Sequence, residues 1–517
     1  MVGECSGYDV AIVGFGPVGA VAAALLGQAG LSVYACDRLE GVYEIPRAIA
    51  LDHEIMRVFQ QVGLVDAIAP FCEPFTPSEY YGVDGRLIRR MTMVPPPYPQ
   101  GYTPSLVFTQ PAVERALRAR VAEMPNVQVE LGVEMQAIDA GASGVALRVE
   151  GRDGRSRTVR AQYAIACDGG SSTVRTQLGL ELEDLDFDEP WLVVDVRVNE
   201  RGLARLPQVS VQYCEPERPC TLVIGPGNHR RWEISLKPGE DPREAATPAR
   251  TWELLQRWLT PQEGELWRQA SYRFHALVAS RWRAGRVFLA GDAAHMQPPF
   301  LGQGMCQGIR DAANLAWKLA AVVQGEVRGQ AAEDLLDSYG VERKAHVREL
   351  TTRIKGVGAV ICERDPARAR QRDAQLLAAC NGVVTDTPRQ DILPGLEAGL
   401  LAGTKGTGRG TLFPQPRMRM SGALMDQAFG GGWRLVVAST SAVPPNVPPG
   451  IRVIDLERTP EAEGVVAQWM QRHACQAALV RPDHYVFGTG SDARDTQQLL
   501  HEWSARLASP QPQLATC

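Results

Sequence analysis

Three glycines, Gly14, Gly16 and Gly19, stand in G-x-G-x-x-G spacing within YDVAIVGFGPVGAVAAALLGQAGLSVYACDR. The residues around them read as strand (Val10–Val13), glycine turn with Pro17, helix, and second strand (Val33–Ala35). In that setting each glycine has a task. Gly14 permits the tight turn, Gly16 lets a pyrophosphate approach the backbone, and Gly19 lets the helix pack close to the sheet. The phosphates would then lie at the positive end of the helix. Asp37, followed by Arg38, comes about twenty residues later, where an acid accepts hydrogen bonds from an adenosine ribose. A dinucleotide site is therefore expected, with NAD and FAD both open.

Two further acids bear on that choice. QYAIACDGGSSTVR ends an apolar strand on Asp168-Gly169, and VFLAGDAAHMQPPFLGQGMCQ ends another on Gly291-Asp292. Either dipeptide is ordinarily only a turn. Here each follows a strand that reads as buried, which places both acids at the carboxyl end of a sheet, where ligands bind. Beyond Asp292, Pro298 and Pro299 stiffen the chain, and Gly302 and Gly304 let backbone approach a planar ring closely. Gln303 and Met305 belong to the same loop. A helix is expected from about Met305, with Ile309, Ala312, Ala313, Ala316, Leu319 and Ala320 on its apolar face. Its amino end carries roughly half a positive charge, suited to an anion.

The elements that must position these residues belong to a chain of 517 residues, long enough for two or three domains. Its hydrophobic content of 45% is that of a soluble globular protein, and its net charge of −5 argues against a nucleic-acid partner. No apolar run approaches the ~18 residues of a membrane span, and the first residues lack a secretory pattern. The eleven cysteines are scattered, without C-x-x-C or zinc spacing, so no metal is expected and a reducing, cytoplasmic setting is.

The succession G-x-G-x-x-G, Asp-Gly, Gly-Asp resembles the flavoprotein aromatic hydroxylases built like p-hydroxybenzoate hydroxylase. The resemblance implies FAD as cofactor, NADH or NADPH as cosubstrate, and O₂. It assigns Asp292 to the ribityl chain and Asp168 to the pyrophosphate region. It also places Arg47, in IPRAIAL, near the flavin phosphates and nicotinamide, and Gln110, in FTQPAVERALR, against FAD. Pro299, Gly302, Gln303, Gly304 and Met305 would line the flavin. The implied chemistry is hydride transfer to FAD, formation of a flavin C4a-hydroperoxide, and hydroxylation of a phenol. No second G-x-G-x-x-G follows, which suits an enzyme that meets the nicotinamide transiently. WLVVDV, QYCEPERP, GPGNHRRWE and YRFHALVA look most like 3-(3-hydroxyphenyl)propionate hydroxylases, so ortho hydroxylation of that acid is the first expectation. Resorcinol-like phenols or aromatic polyketides are the alternative, and an FAD protein that does not oxygenate is the reading from another class.

The fold class expected is α/β. A Rossmann-like FAD-binding domain (1–77, 92–188 and 275–365) would carry an inserted antiparallel or mixed substrate sheet (78–91 and 189–274). A helical connection (366–402) would lead to a thioredoxin-like C-terminal domain (403–517) suited to packing or homodimerisation. Asp52, His53 and Tyr213 are the candidates for deprotonating the phenol, with Tyr102 and His229 behind them. Arg197, Arg218, Arg230, Arg231 and Arg273 are the candidate anchors for a substrate carboxylate.

Overall fold

The computed structural model describes residues 7–403 and 406–507, so Thr404 and Lys405 of the Gly- and Thr-rich linker lie outside the described residues. The strand Tyr8–Val13 occupies the middle of an eight-stranded sheet. It pairs in parallel with Val33–Asp37 on one side and Ser156–Ala166 on the other. Val127–Leu131 and Val287–Leu289 extend the parallel part outward. Val10, Ala11 and Ile12 are fully buried, in a core shared with helix Pro17–Gln28 and with Met135, Leu147 and Val149 of the strands Val133–Ala140 and Val145–Gly151, as expected of parallel strands that read as unbroken apolar runs. The helix Pro17–Gln28 begins with proline, whose missing N–H costs nothing in a first turn, and it buries Gly19 through Gly27. It packs against Gly304–Val323 and Gln110–Ala122.

A second, nine-stranded mixed sheet lies beside the first. Its order runs His295–Met296, Gly264–Ala279, Leu182–Val198, His229–Ser235, Cys220–Ile224, Ser210–Tyr213, Ser78–Tyr81, Leu87–Thr92, Asp386–Pro388. Two of its long strands, Gly264–Ala279 and Leu182–Val198, reach beyond the expected 189–274. Leu182–Val198 starts seven residues before 189, in LEDLDFD, where exposed Asp184, Asp186 and Asp188 alternate with half-buried Leu185 and Phe187. Its edges also recruit short segments from outside, His295–Met296 and Asp386–Pro388. The connection is helical only over Pro366–Ala379 before its chain joins that sheet.

Alternation divides the central strands of this sheet. Leu192, Val194, Val196, Leu222, Trp232 and Ile234 face a core closed by Leu255 and Leu259. Their neighbours Val193, Asp195, Arg231, Glu233 and Thr221 point the other way, toward the parallel sheet. In register, Val193 stands opposite Glu233, Glu233 opposite Thr221, and Thr221 opposite Gln212.

The C-terminal residues form a four-stranded sheet in the order Ile451–Asp455, Trp433–Val437, Ala477–Val480, Val486–Gly490. The first pair is parallel and the other two are antiparallel. Val466 and Trp469, from helix Val465–Arg472, belong to the core cluster on one side. Leu499 and Leu500, from helix Ala493–Leu507, belong to the other. This unit is joined to the rest through buried ion pairs, Arg481 with Glu342 at 2.7 Å and Arg57 with Asp426 at 2.6 Å. Among the described residues no helix is long and apolar enough to cross a membrane.

Candidate active site

A cleft of about 420 Å³ opens between the parallel sheet and the floor formed by the mixed sheet. One wall is the glycine turn. Gly14 has φ of +94°, and a Cβ there would sit 2.3 Å from the Cys167 carbonyl oxygen. A Cβ on Gly19 would sit 2.0 Å from the Gly14 oxygen. Both glycines are therefore required by the fold itself. Gly16 differs: it lines the cleft, and a Cβ there would meet nothing within 4 Å. The space in front of it is left to a ligand, and Pro17 shares that wall.

The acids lie as follows. Asp37 accepts from the N–H groups of Phe15 (2.7 Å) and Leu39 (2.8 Å), bracing the turn, and it stands with exposed Arg38 outside the cleft lining. Asp168 accepts from Val174 N–H with one carboxylate oxygen, while the other is buried without a partner. Cys167 and Gly169 on either side of it line the cleft. Asp292 lies exposed to the cleft in a single 3-10 turn, Gly291–Ala293. A half-satisfied buried carboxylate, an unshielded one and an open glycine turn fit the pyrophosphate and ribityl hydroxyls of FAD.

The loop beyond completes that wall. Pro299, Gly302, Gly304 and Met305 line the cleft, and helix Gly304–Val323 aims its amino end there. Gln303 does not face the space. It is buried at the N-cap position and accepts from Arg310 Nη1 at 3.0 Å. Gln110 and Arg47 both line the cleft, and the Gln110 side-chain oxygen accepts from the N–H groups of Arg47 (2.8 Å) and Ala48 (2.6 Å). Gln110 therefore fixes the Arg47 segment. From the floor, Arg231 and Arg268 donate to the Pro46 carbonyl, and Arg231 also donates to that of Arg47.

The three residues expected to deprotonate a phenol are not brought to this space. Asp52 caps helix His53–Gln61 and is ion-paired with Arg310 at 2.6 Å. Burial opposes its ionisation, but Arg310 outweighs burial and lowers its pKa. Burial pushes His53 down to about 4, despite Asp52 beside it. Tyr213 accepts a 3.1 Å hydrogen bond from Trp258 Nε1, and burial raises its pKa. None of the three lines the cleft, and neither do Tyr102, bonded to Gln60 at 2.6 Å, nor His229, bonded to Asp195 at 2.7 Å. The arginines expected as anchors are mostly engaged. Arg218 pairs with Glu240, Arg273 with Asp188 and Arg231 with Asp195. Arg230 serves backbone carbonyls, and Arg197 lies over the Trp267 ring.

Two cleft residues escaped the sequence reading. Glu233, on the floor, forms no ion pair or hydrogen bond among the described residues. Burial pushes it up to about 7, with Asp195 adding to the shift and Arg231 and Arg268 opposing it. Period-two alternation in RRWEIS was the available signal, since it puts Arg231 and Glu233 on one face. Arg389 enters from the connection, stacked 4.2 Å over the Phe75 ring and donating to Ser78 Oγ and the Leu301 carbonyl, with no carboxylate of the described residues in salt-bridge reach. Nothing in TPRQD announces that placement.

The open glycine turn and the polar floor share one cleft, and that arrangement fits a flavin on one wall with a small organic molecule beside it. Residues 7–354 match the family model described as FAD binding domain, and the chain belongs to the FAD-dependent aromatic hydroxylases. These are NAD(P)H- and O₂-consuming monooxygenases, which sets aside the non-oxygenating alternative. The chain is 37% identical over 521 residues to a probable NADH-specific resorcinol 4-hydroxylase of Rhodococcus jostii (strain RHA1), covering 97% of this chain and 95% of that one. It is 33% identical over 524 residues to a 3-(3-hydroxy-phenyl)propionate/3-hydroxycinnamic acid hydroxylase of Mycobacterium sp. (strain KMS), with 93% and 88% covered. Aklavinone-11 hydroxylase, solved with FAD and aklavinone, shares the fold with a TM-score of 0.80 at 24% identity, over 97% of this chain and 99% of that one.

Proposed function

We propose that this enzyme hydroxylates a small phenol carrying a second substituent meta to its hydroxyl, and that the new oxygen enters ortho to that hydroxyl. Resorcinol and 3-(3-hydroxyphenyl)propionate both fit this description, and both occur in the names of full-length relatives. The observation that carries the reading is that one cleft joins the Gly16–Asp292 wall to a floor of Glu233, Thr221 and Gln212. Bound FAD would accept a hydride from NADH or NADPH and activate O₂ for insertion of one oxygen atom into the ring. The chain's part is to hold FAD through Gly16, Asp168, Asp292 and the Pro299–Met305 loop, and to orient the ring over the floor.

Of the two substituents, a second hydroxyl suits this floor better. The arginines expected for a carboxylate are paired or turned away, and unpaired Glu233 would repel a carboxylate beside it. Arg389 is the observation that favours the acid, because a half-buried cation without a counter-ion among the described residues attracts an anion. Comparing kcat/KM for resorcinol and 3-(3-hydroxyphenyl)propionate decides between them. Resorcinol is expected to exceed the acid at least tenfold, and the reverse order would return the acid to first place.

We read the parallel sheet with its glycine turn as Rossmann-like and the C-terminal sheet as thioredoxin-like. The latter reading rests on its strand order, fourth, third, first, second, with the third antiparallel to the rest. Buried Cys475 stands without a second cysteine near it in sequence, so a packing role fits this unit better than redox chemistry. Dependence on NAD(P)H suits a cytoplasmic enzyme.

A further inference from the structure

We propose that Glu233 is the base that takes the proton from the substrate's ring hydroxyl. The proposal rests on the phenol reading above and adds to it the residue that activates the ring.

Apart from Asp292 on the cofactor wall, Glu233 is the one carboxylate among the described residues lining the cleft. Its strand places it on the cleft face, between Val193 and Thr221. The Thr221 hydroxyl on the adjoining strand donates to Gln212 Oε1 at 2.5 Å, and the carboxyl of Glu233 has no hydrogen-bond partner among the described residues. The other basic groups lining the cleft are each engaged through at least one atom, with His295 Nδ1 buried and unpartnered among the described residues. His295 Nε2 is bonded to Asp311 at 2.7 Å, His275 lies 3.5 Å from Asp188, and the Tyr272 hydroxyl accepts from Arg268.

The proton balance is simple. The substrate O–H bond breaks, a carboxyl O–H bond forms on Glu233, and a phenolate is left in the cleft with no electrons exchanged. Phenolate oxygen pushes electron density onto the ortho and para carbons, which makes the ring a better nucleophile toward activated oxygen. Glu233 returns its proton to the product oxygen, and the displaced ring hydrogen leaves in the water formed from the second oxygen atom. The charged groups acting on Glu233 are Arg231 on its own strand, Asp195 on the adjoining strand and Arg268 one strand further, and Arg47, Arg273, His275, Asp292, His295 and Arg389 line the same cleft. Burial sets the balance among them and pushes Glu233 up to about 7. A base with that affinity exchanges protons near neutral pH.

The test uses the FAD-loaded enzyme and two probes, resorcinol and a nitrophenol whose hydroxyl is already ionised at the assay pH. In wild type, resorcinol hydroxylation should rise with pH through a limb near 7. Glu233→Gln should lower kcat for resorcinol about a hundred-fold and erase that limb. The same variant should bind the nitrophenolate, read by its visible absorbance, at least as tightly as wild type, because the ionised carboxylate that repels it is gone. Glu233→Asp, which keeps the acid but shortens its reach, should regain part of the rate and show a limb again. Two results would overturn the proposal: a Glu233→Gln enzyme with wild-type rate and limb, or one that loses nitrophenolate binding as fully as it loses resorcinol turnover. If the Gln variant sheds FAD, the Asp variant decides, and absence of any limb in it is the contrary result. If resorcinol fails to stimulate wild type, the substrate reading falls, and the same comparison runs with whichever phenol does stimulate it.

Discussion

Arg310 holds Asp52 at 2.6 Å and Glu54 at 2.6 Å, and Glu54 in turn accepts from the hydroxyl of Tyr485 at 2.9 Å. One buried arginine in the helix behind the flavin loop thus ties together the segment that caps helix His53–Gln61 and the C-terminal sheet. Arg310 also reaches Gln303 at the start of its own helix, so the amino end aimed at the cleft is fixed by the same group. Removing it would strand two carboxylates away from water. Arg310→Ala should destabilise the fold by about 3–5 kcal/mol, measured by denaturant unfolding of the FAD-loaded protein. A loss below about 1 kcal/mol would show that the cluster is not a clamp.

That cluster also explains why Asp52 misleads as a catalytic candidate. Asp52-His53 looks like an acid–base pair in the sequence, yet the acid is spent on capping and on Arg310. Asp52→Asn should lower stability without moving the pH dependence of turnover. A shifted pH limb in a folded variant would put Asp52 back in the chemistry.

Gly16→Val separates ligand from fold. The backbone there is at φ −72°, open to any residue, and the side chain would point into free space, so the protein should fold. It should purify colourless and stay below a tenth of wild-type FAD content after reconstitution. A yellow Gly16→Val protein would mean that pyrophosphate lies elsewhere.

Asp292→Ala tests the opposite wall. Loss of a charge-assisted hydrogen bond, worth ~1.5–3 kcal/mol, should weaken FAD binding roughly ten- to a hundred-fold in a folded variant. Unchanged affinity would reduce Asp292 to a turn residue.

The cofactor wall was legible in the sequence because local backbone demands specify it. Gly14 needs positive φ and Gly19 needs close packing, and both needs are met by neighbours in the same strand–turn–helix unit or the adjoining strand. Gly302 and the start of helix Gly304–Val323 could likewise be placed to within a residue of the expected Met305. The floor was not legible in the same way. Glu233 becomes a cleft residue only through its cross-strand position between Val193 and Thr221, and Arg389 arrives from a segment about 300 residues from its partner Ser78. Pairings of that range leave no periodic trace. Three of the five arginines, Arg218, Arg273 and Arg231, find partners in Glu240, Asp188 and Asp195 that sheet register and turns assign rather than spacing.

Glu233 also makes a prediction about stability and pH. Its folded pKa, about 7, lies above the usual 4.5, so the folded state binds the proton more tightly than the unfolded chain. Its contribution to stability is full below about pH 4.5 and is lost as pH rises through 7. Above pH 8 the ionised carboxylate should cost on the order of 3 kcal/mol relative to an unperturbed one. Glu233→Gln should therefore stabilise the protein at pH 8.5 more than at pH 5.5, followed by thermal unfolding at both values. An equal effect at both would place Glu233 in an ordinary aqueous setting.

Under the proposed function, the cleft couples NAD(P)H oxidation to ring hydroxylation of a small meta-substituted phenol. The most direct measurement is incubation of the FAD-loaded enzyme with NADH, resorcinol and ¹⁸O₂, following NADH loss and product mass together. Phenol-stimulated NADH oxidation, one ¹⁸O atom in the product and a new hydroxyl ortho to an existing one are the expected results. The proposed function would be contradicted by NADH oxidation that yields only hydrogen peroxide with resorcinol and with 3-(3-hydroxyphenyl)propionate alike, or by product oxygen that carries no label.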